Sequence, residues 1–286
     1  MRTGLVMEGG ALRGMFTCGA IDVLMENGIN FDGAVGVSAG ATFGCNLKSK
    51  QIGRAFRYNK KYGADKRYKG LSSLIKTGNI FNVDFCYNEL PFKLDLWDDK
   101  TFKENPMEFY VVATDLETGK PVYHKCRDGL GEDITWMQAS ASMPLVSHAV
   151  TIDGKRYLDG GTSDSIPVKF MEDKGFDHIL VIETQPRDYV KKKQGYMPLF
   201  KMRYNKYPEY LKAVKNRYLM YNEEKEYIRK KEDLGELLVI RPMEPLNISP
   251  MEKDPAELER VYNLGRRAAE KLLLQNTWLN GEAVKE

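Results

Sequence analysis

Cysteine is scarce and scattered in this chain. The four thiols, Cys18, Cys45, Cys86 and Cys126, form no C-x-x-C pair, which argues against a metal site or a disulfide framework and for reduced, mostly buried thiols in a cytosolic protein. Excess charge of either sign is also missing. The net charge is +3, from 43 basic and 40 acidic residues, and no zinc-finger or RNA-binding signature is present, so no nucleic-acid partner is expected. No apolar run approaches the length of a membrane span. The N-terminal residues Met1–Glu8 turn acidic and glycine-rich before the apolar core of a signal peptide forms. The expected location is cytoplasmic, with any lipid met from the water side. What the chain does have is a hydrophobic fraction of 42% and an aromatic fraction of 11%, enough for a substantial core.

Along the chain, Thr3–Met7 reads as a short buried strand, Glu8-Gly9-Gly10 as a turn, and Leu12–Met25 as a helix ending near Asn27-Gly28. Phe31–Val37 is the next predicted strand and Ala39–Leu47 the next helix. Strand, glycine turn, helix, strand opens a parallel α/β sheet, and ligands of such sheets bind at the carboxyl ends of the strands. Residues 50–105 are polar and aromatic with weak periodicity and read as helices and loops layered over the site. Strands are predicted at Glu108–Thr114, Val122–His124, His178–Glu183 and Leu237–Ile240, a short helix at Thr135–Ser142, and a hairpin around Asp153-Gly154. Between Tyr189 and Arg217 the composition shifts to nine Lys/Arg against one Glu, with six aromatics interleaved. Asp254-Pro255-Ala256-Glu257 reads as the start of a final helix running to about Leu274. One domain over residues 1–286 is expected, its core at about 1–185, with 186–286 a helical cap extension carrying a late strand.

Three segments carry candidate chemistry. Gly36-Val37-Ser38-Ala39-Gly40 follows the apolar Ala34-Val35 and has the pattern of a nucleophile elbow, a tight strand-to-helix turn that presents a hydroxyl at the tip of a sheet. Serine needs a base within hydrogen-bond reach. Asp159 followed by His178 satisfies the order of a Ser-Asp-His triad, but Ser38 comes after only two predicted strands and His178 opens an apolar one. The other candidate is a carboxylate alone. Asp159 ends a predicted strand and is followed by Gly160-Gly161, which permit close backbone approach; burial must raise its pKa to make it an effective base. An ordinary Asp-Gly turn is the alternative. The third segment, Glu8-Gly9-Gly10-Ala11-Leu12-Arg13-Gly14, is a glycine turn opening a helix, with backbone N–H groups suited to a phosphate or an oxyanion. Arg13 either fixes this loop or binds a substrate phosphate. No G-x-G-x-x-G and no Gly-Lys-Ser/Thr phosphate loop is present.

Gly9-Gly10-Ala11-Leu12-Arg13-Gly14, Gly36-Val37-Ser38-Ala39-Gly40 and Asp159-Gly160-Gly161 together resemble the signature of the patatin-like phospholipases, in order and in spacing. Ala113-Thr114-Asp115-Leu116, the segment Ala139–Pro144 and the Arg217–Pro242 stretch extend the likeness over most of the chain. The resemblance implies a three-layer α/β/α fold around a mostly parallel sheet, with Ser38 as nucleophile, Asp159 as base and the Gly9–Gly14 loop as oxyanion hole. It implies acyl-ester hydrolysis through an acyl-enzyme, on a lipid or other acyl-ester substrate, without metal or cofactor. A thioesterase, a small-ester hydrolase and a lipid-binding protein with a vestigial site are the alternatives. Two positions depart from the family pattern. Ala11 replaces the third glycine, which requires a negative φ there, and Glu8 stands where aspartate is frequent. For the basic aromatic stretch 189–217 there are two expectations. One is peripheral contact with an anionic membrane, through Lys191-Lys192-Lys193, Tyr196, Met197 and Phe200; the other is a solvated loop and a helix with inward aromatics.

Overall fold

The computed structural model of the chain describes residues 1–276; the end of the expected C-terminal extension, 277–286, lies outside the described residues. The chain opens with β1 (Thr3–Met7), α1 (Gly14–Glu26), β2 (Gly33–Val37) and α2 (Ala39–Lys48). β2 begins later than the apolar pattern predicts, because Asp32 turns its carboxylate back to the Thr3 N–H and hydroxyl at 2.7 and 3.0 Å. A covering region follows: α3 (Arg54–Tyr62), α4 (Leu71–Thr77), a π-helical stretch Phe85–Leu94, and α5 (Asp99–Glu104). The wide turn holds Pro91, whose ring and missing N–H do not fit an α-helical interior.

β3 (Glu108–Asp115) and β4 (Pro121–Cys126) form a hairpin, followed by α6 (Glu132–Ser140), β5 (Val150–Ile152) and β6 (Lys155–Asp159). The predicted Asp153-Gly154 turn joins β5 to β6 with both residues at positive φ, 48° and 76°, the geometry that continues the twist of a hairpin. α7 (Val168–Asp173), β7 (His178–Ile182), α8 (Met197–Tyr204), α9 (Pro208–Asp233), β8 (Leu237–Ile240) and α10 (Pro255–Gln275) complete the described chain. Asp254 caps α10 by accepting the Ala256 N–H at 2.9 Å.

The sheet has eight strands among the described residues, in the order β5-β6-β3-β2-β1-β7-β8 with β4 also on β3. β3, β2, β1, β7 and β8 are parallel; β4, β5 and β6 are antiparallel additions. Side chains alternate between the two faces. Leu5, Met7 and Ala34 join α1, α2, α3 and α10 on one side, while Val6, Val35, Val37 and Val112 join α7 and α9 on the other. The fold is therefore mixed α/β, with helices on both faces of a mostly parallel sheet. The described residues beyond 186 are built into it: β8 pairs with β7, and α10 crosses α1 so closely that a Cβ on Gly19 or Gly265 collides with the backbone carbonyl of Tyr262 or Phe16.

Candidate active site

The strand register decides which side chains meet. β2 runs along one edge of β3 and stops at Val37, opposite Val112. β6 runs antiparallel and ends at Asp159, opposite Ala113. β4 already pairs with both Val112 and Ala113, so β2 and β6 share the other edge of β3 and meet there end to end. Ser38 is the next residue after Val37. The two segments thus deliver a hydroxyl and a carboxylate to neighbouring positions along one strand.

The turn at Ser38 is strained, with φ 55° and ψ −117°. It is held from several directions. The Ser38 N–H donates to the Ser140 hydroxyl at 2.8 Å, and the Ser38 carbonyl accepts from the Ala41 and Thr42 N–H groups of α2. A Cβ on Gly36 overlaps the Gly40 carbonyl, and one on Gly40 overlaps the Met7 carbonyl. Both motif glycines are therefore needed to fold β2 and α2 against β1. Asp159 is tied down as tightly. Its N–H donates to the Ser142 carbonyl at 2.9 Å, its Oδ1 accepts from the Gly161 N–H at 2.8 Å, and its carbonyl accepts from the Thr114 hydroxyl at 2.8 Å. Gly160 lies against the Val112 carbonyl, where no Cβ fits.

Ser38 and Asp159 are 8% and 7% exposed. Burial raises the Asp159 pKa above the ordinary carboxylate range, opposed by a hydrogen bond with the Ser38 side chain, by the Arg217 guanidinium and by the Gly161 N–H. A desolvated carboxylate with a serine partner is a stronger proton acceptor than a surface aspartate. His178 sits elsewhere. It opens β7 opposite Thr3, at the far end of the strands, about 20 Å from Ser38 along the sheet at ~3.3 Å per residue. His124 bonds Asp133 at 2.7 Å and stacks on Trp136.

The glycine loop passes beside the elbow. A Cβ on Gly9 lies 2.8 Å from the Val37 carbonyl and 2.9 Å from Ser38 Cβ, and one on Gly14 lies 2.8 Å from Ala39 Cβ. Gly10 packs on the Thr184 hydroxyl and Arg13, and Arg13 Nε donates to Thr184 Oγ1 at 3.3 Å. Ala11 overturns the expectation of a negative φ. It stands at φ 48°, at the start of a short 3₁₀ turn, Ala11–Arg13. A left-handed alanine costs on the order of 1 kcal/mol; here the methyl is accommodated because it lines a pocket instead of meeting a backbone. Glu8 is fully buried, its pKa raised by burial, and its longer arm reaches both the Tyr221 hydroxyl at 2.8 Å and the Thr184 N–H at 2.5 Å.

From Ser38, Ala11 and Leu12 a pocket of about 980 Å³, mouth included, extends under the covering region. Its walls are mainly apolar: Phe43, Tyr58, Tyr68, Phe81, Leu90, Pro91, Trp97, Met137 and Met143. Arg54, its cation, is consumed by the Asp95 and Leu96 carbonyls and Asn46. Such a lining suits an apolar ligand group.

Three participants escape sequence reading. Ser140 and Arg217 act through positions that only the fold brings near, Arg217 donating from α9 to the Gly161 carbonyl at 2.5 Å. Tyr221 carries no motif. The 189–217 stretch divides between its two expectations. Phe200, Tyr204 and Tyr210 are buried in a third cluster with Leu116 and Leu158, so Phe200 faces inward. Lys191 lies over the Tyr221 ring. Tyr196, Leu199 and Met202 are exposed. No helix among the described residues is long and apolar enough to cross a membrane.

An uncharacterized Escherichia coli protein, YjjU, is 27% identical over 93% of this chain and 75% of its own length. Lysophospholipase nte1 of Aspergillus niger is 25% identical over 92% of the chain, which spans only 17% of that longer protein. Among solved structures, VipD from Legionella pneumophila aligns over 96% of this chain and 67% of its own, with a TM-score of 0.48 and 16% identity. A profile for a domain of unknown function, DUF6363, matches residues 207–278. The profile for patatin-like phospholipases matches residues 5–171, more than half of the chain and all three motifs, and the chain belongs to the patatin-like phospholipase family.

Proposed function

We propose that the protein is a serine acyl hydrolase acting on lipid esters through a Ser38–Asp159 dyad. The observation that carries this reading is the end-to-end meeting of β2 and β6 on one edge of β3, which seats a strained serine beside a buried aspartate at the mouth of an apolar pocket. In the first half-reaction Ser38 Oγ attacks the ester carbonyl carbon while Asp159 accepts the hydroxyl proton. The carbonyl oxygen becomes an oxyanion facing backbone N–H groups of the Gly9–Gly14 loop and the Ala39 and Gly40 N–H groups that open α2. Collapse expels the alcohol, which takes the proton from Asp159, and leaves an acyl-serine. Asp159 then deprotonates a water that attacks the acyl carbonyl and returns free Ser38. The fatty chain occupies the apolar pocket throughout. Approach to a lipid surface falls to the exposed Tyr196, Leu199 and Met202 with the neighbouring Lys201, which suit an interface better than bulk water.

The test is hydrolysis of a short p-nitrophenyl ester, with labelling by a fluorophosphonate probe. Ser38→Ala is expected to abolish labelling and lower turnover by at least about 10³-fold. Asp159→Asn is expected to lower turnover by about 10²–10⁴-fold, and His178→Ala to keep most of it. An inactive His178→Ala beside an active Asp159→Asn overturns the dyad. An unlabelled Ser38 in folded protein overturns the enzyme reading.

A further inference from the structure

The Gly9–Gly14 loop brings little of its own to hold its shape. Gly9 and Gly10 have no side chains, and Ala11 stands at φ 48°, a conformation that an L residue enters only at a cost. Backbone donors help a reaction only where they are fixed before it begins. The loop also touches the elbow directly. A Cβ on Gly9 lies 2.9 Å from Ser38 Cβ, and Ala11 and Leu12 line the apolar pocket together with Ser38. A shift of the loop therefore moves its N–H groups relative to the serine.

Two buried residues from later in the chain hold the loop in place. The first is Thr184, which follows β7. Its N–H donates to Glu8 Oε2 at 2.5 Å, its hydroxyl donates to the Gly9 carbonyl at 3.1 Å, and the same hydroxyl accepts from Arg13 Nε at 3.3 Å. A Cβ on Gly10 lies 2.8 Å from that hydroxyl. One threonine thus binds the loop before, at and after its paired glycines. The second residue is Tyr221 on α9, whose hydroxyl donates to the other carboxylate oxygen, Glu8 Oε1, at 2.8 Å. Glu8 itself is tied to the neighbouring strand end, its N–H donating to the Ile182 carbonyl at 3.0 Å.

Tyr221 is fixed in turn. Lys191 Nζ lies 4.3 Å from its ring centroid, and Tyr189 meets the ring edge-on at 5.9 Å. Arg217 and Lys225 stand four residues to either side of it, on the same stripe of the helix. Arg217 donates to the Gly161 carbonyl at 2.5 Å. Lys225 donates to Glu183 Oε2 at 2.8 Å and to the Pro186 carbonyl at 3.0 Å, on both sides of Thr184. A single stripe of α9 therefore holds the segment after Asp159, the Gly9–Gly14 loop through Glu8, and the segment that carries Thr184.

We propose that Thr184 and Tyr221 are positioning residues for the oxyanion hole: through the Gly9 carbonyl and the Glu8 carboxylate they fix the N–H groups of the loop against the oxygen that becomes negative. Neither belongs to the three motifs, and neither lines the apolar pocket. The inference rests on the acyl-hydrolase reading and adds two residues to its machinery.

The test separates binding of the charged adduct from binding of the neutral ground state. Turnover of p-nitrophenyl butyrate gives kcat and KM. An alkyl trifluoromethyl ketone reports the adduct: Ser38 Oγ adds to its carbonyl carbon, the hydroxyl proton passes to Asp159, and the carbonyl oxygen becomes the anion. The methyl ketone of the same chain length stays a free carbonyl and reports the ground state. Thr184→Val keeps the side-chain shape without the hydroxyl, and Tyr221→Phe keeps the ring. Each is expected to lower kcat by at least about tenfold with KM within about twofold of the wild type. Each is expected to weaken the trifluoromethyl ketone by a similar factor and to leave the methyl ketone unchanged. Thr184→Ser is expected to restore most of the rate lost in Thr184→Val. Melting curves show which variants are folded at the assay temperature, and Tyr221→Phe carries the test if Thr184→Val is not. Unchanged kcat in folded variants overturns the proposal. Equal weakening of both ketones, or a Thr184→Ser protein no better than Thr184→Val, marks a merely structural role and overturns it too. The wild type tells the two readings apart. An active wild type with unmoved variants overturns the positioning roles alone; a folded wild type that neither turns over the ester nor takes the fluorophosphonate label overturns the hydrolase reading, and the positioning roles fall with it.

Discussion

At Ser38 the backbone sits in a conformation few side chains tolerate, and the price is met by bonds from Ser140, Ala41 and Thr42. The same rigidity shapes the pH response. In the proposed mechanism Asp159 works as the ionised base, and its pKa is raised by burial and held back by Ser38, Arg217 and Gly161. Hydrolysis of a neutral short ester is therefore expected to fail as pH falls through a limb above the usual carboxylate value of about 3.9. Arg217→Gln removes a cation that favours the carboxylate, so the limb is expected to move to higher pH; a pH–rate profile of kcat/KM with the limb unmoved would contradict the placement of Arg217. Ser38, Asp159 and the glycines were legible in the sequence because each motif is contiguous. The contacts of Ser140 and Arg217 were not, because a serine at a helix end or an arginine in a basic run gains its partners only from what the fold sets beside it. The positive φ of Ala11 was also hidden, since nothing local shows that its methyl has a pocket to enter.

Among the elements, α9 is tied through a carboxyl group to the segment that follows Asp159-Gly160-Gly161. Glu224 accepts from the Ser165 and Ile166 N–H groups at 3.1 Å each and shares its site with Asp164, which also accepts from Tyr123. Burial raises the pKa of both acids, and for Glu224 the nearby Asp164 adds to it. The folded state thus keeps a proton that the unfolded chain releases in the ordinary carboxylate range. Unfolding releases it, so stability is greatest below that range and declines as pH rises through the raised values. Glu224→Gln is expected to flatten this decline in melting temperature; an equally steep decline in the variant would show that the pair is not its source. Element boundaries were legible where the signal is local, as at the Asp254-Pro255 helix start and the Asp153-Gly154 turn. They were poorly legible in 50–105, where Pro91 is absorbed by a widened turn that only surrounding packing stabilises.

For the whole molecule, the sheet class followed from the opening strand-turn-helix-strand order, whereas the role of the C-terminal third did not. That region reads as a helical cap extension with a late strand; the strand is β8, which lies along β7, and α10 packs along α1. A chain ending at residue 206 loses α9, β8 and α10, exposing the Val35 and Val181 face, the β7 edge and much of α1. Such a fragment is expected to be aggregated, as unpaired edges and bare apolar faces are; a monomer with cooperative unfolding in size-exclusion and melting experiments would refute this. The shared edge of β3 has a separate consequence. It sets the spacing between hydroxyl and carboxylate, while one wall of the apolar pocket, with Tyr58, Tyr68, Phe81 and Trp97, comes from 50–105, between α2 and β3. Under the proposed hydrolase reading, repacking of that stretch changes which acyl chain is accepted without moving Ser38 or Asp159, so selectivity is free to diverge while the chemistry stays put.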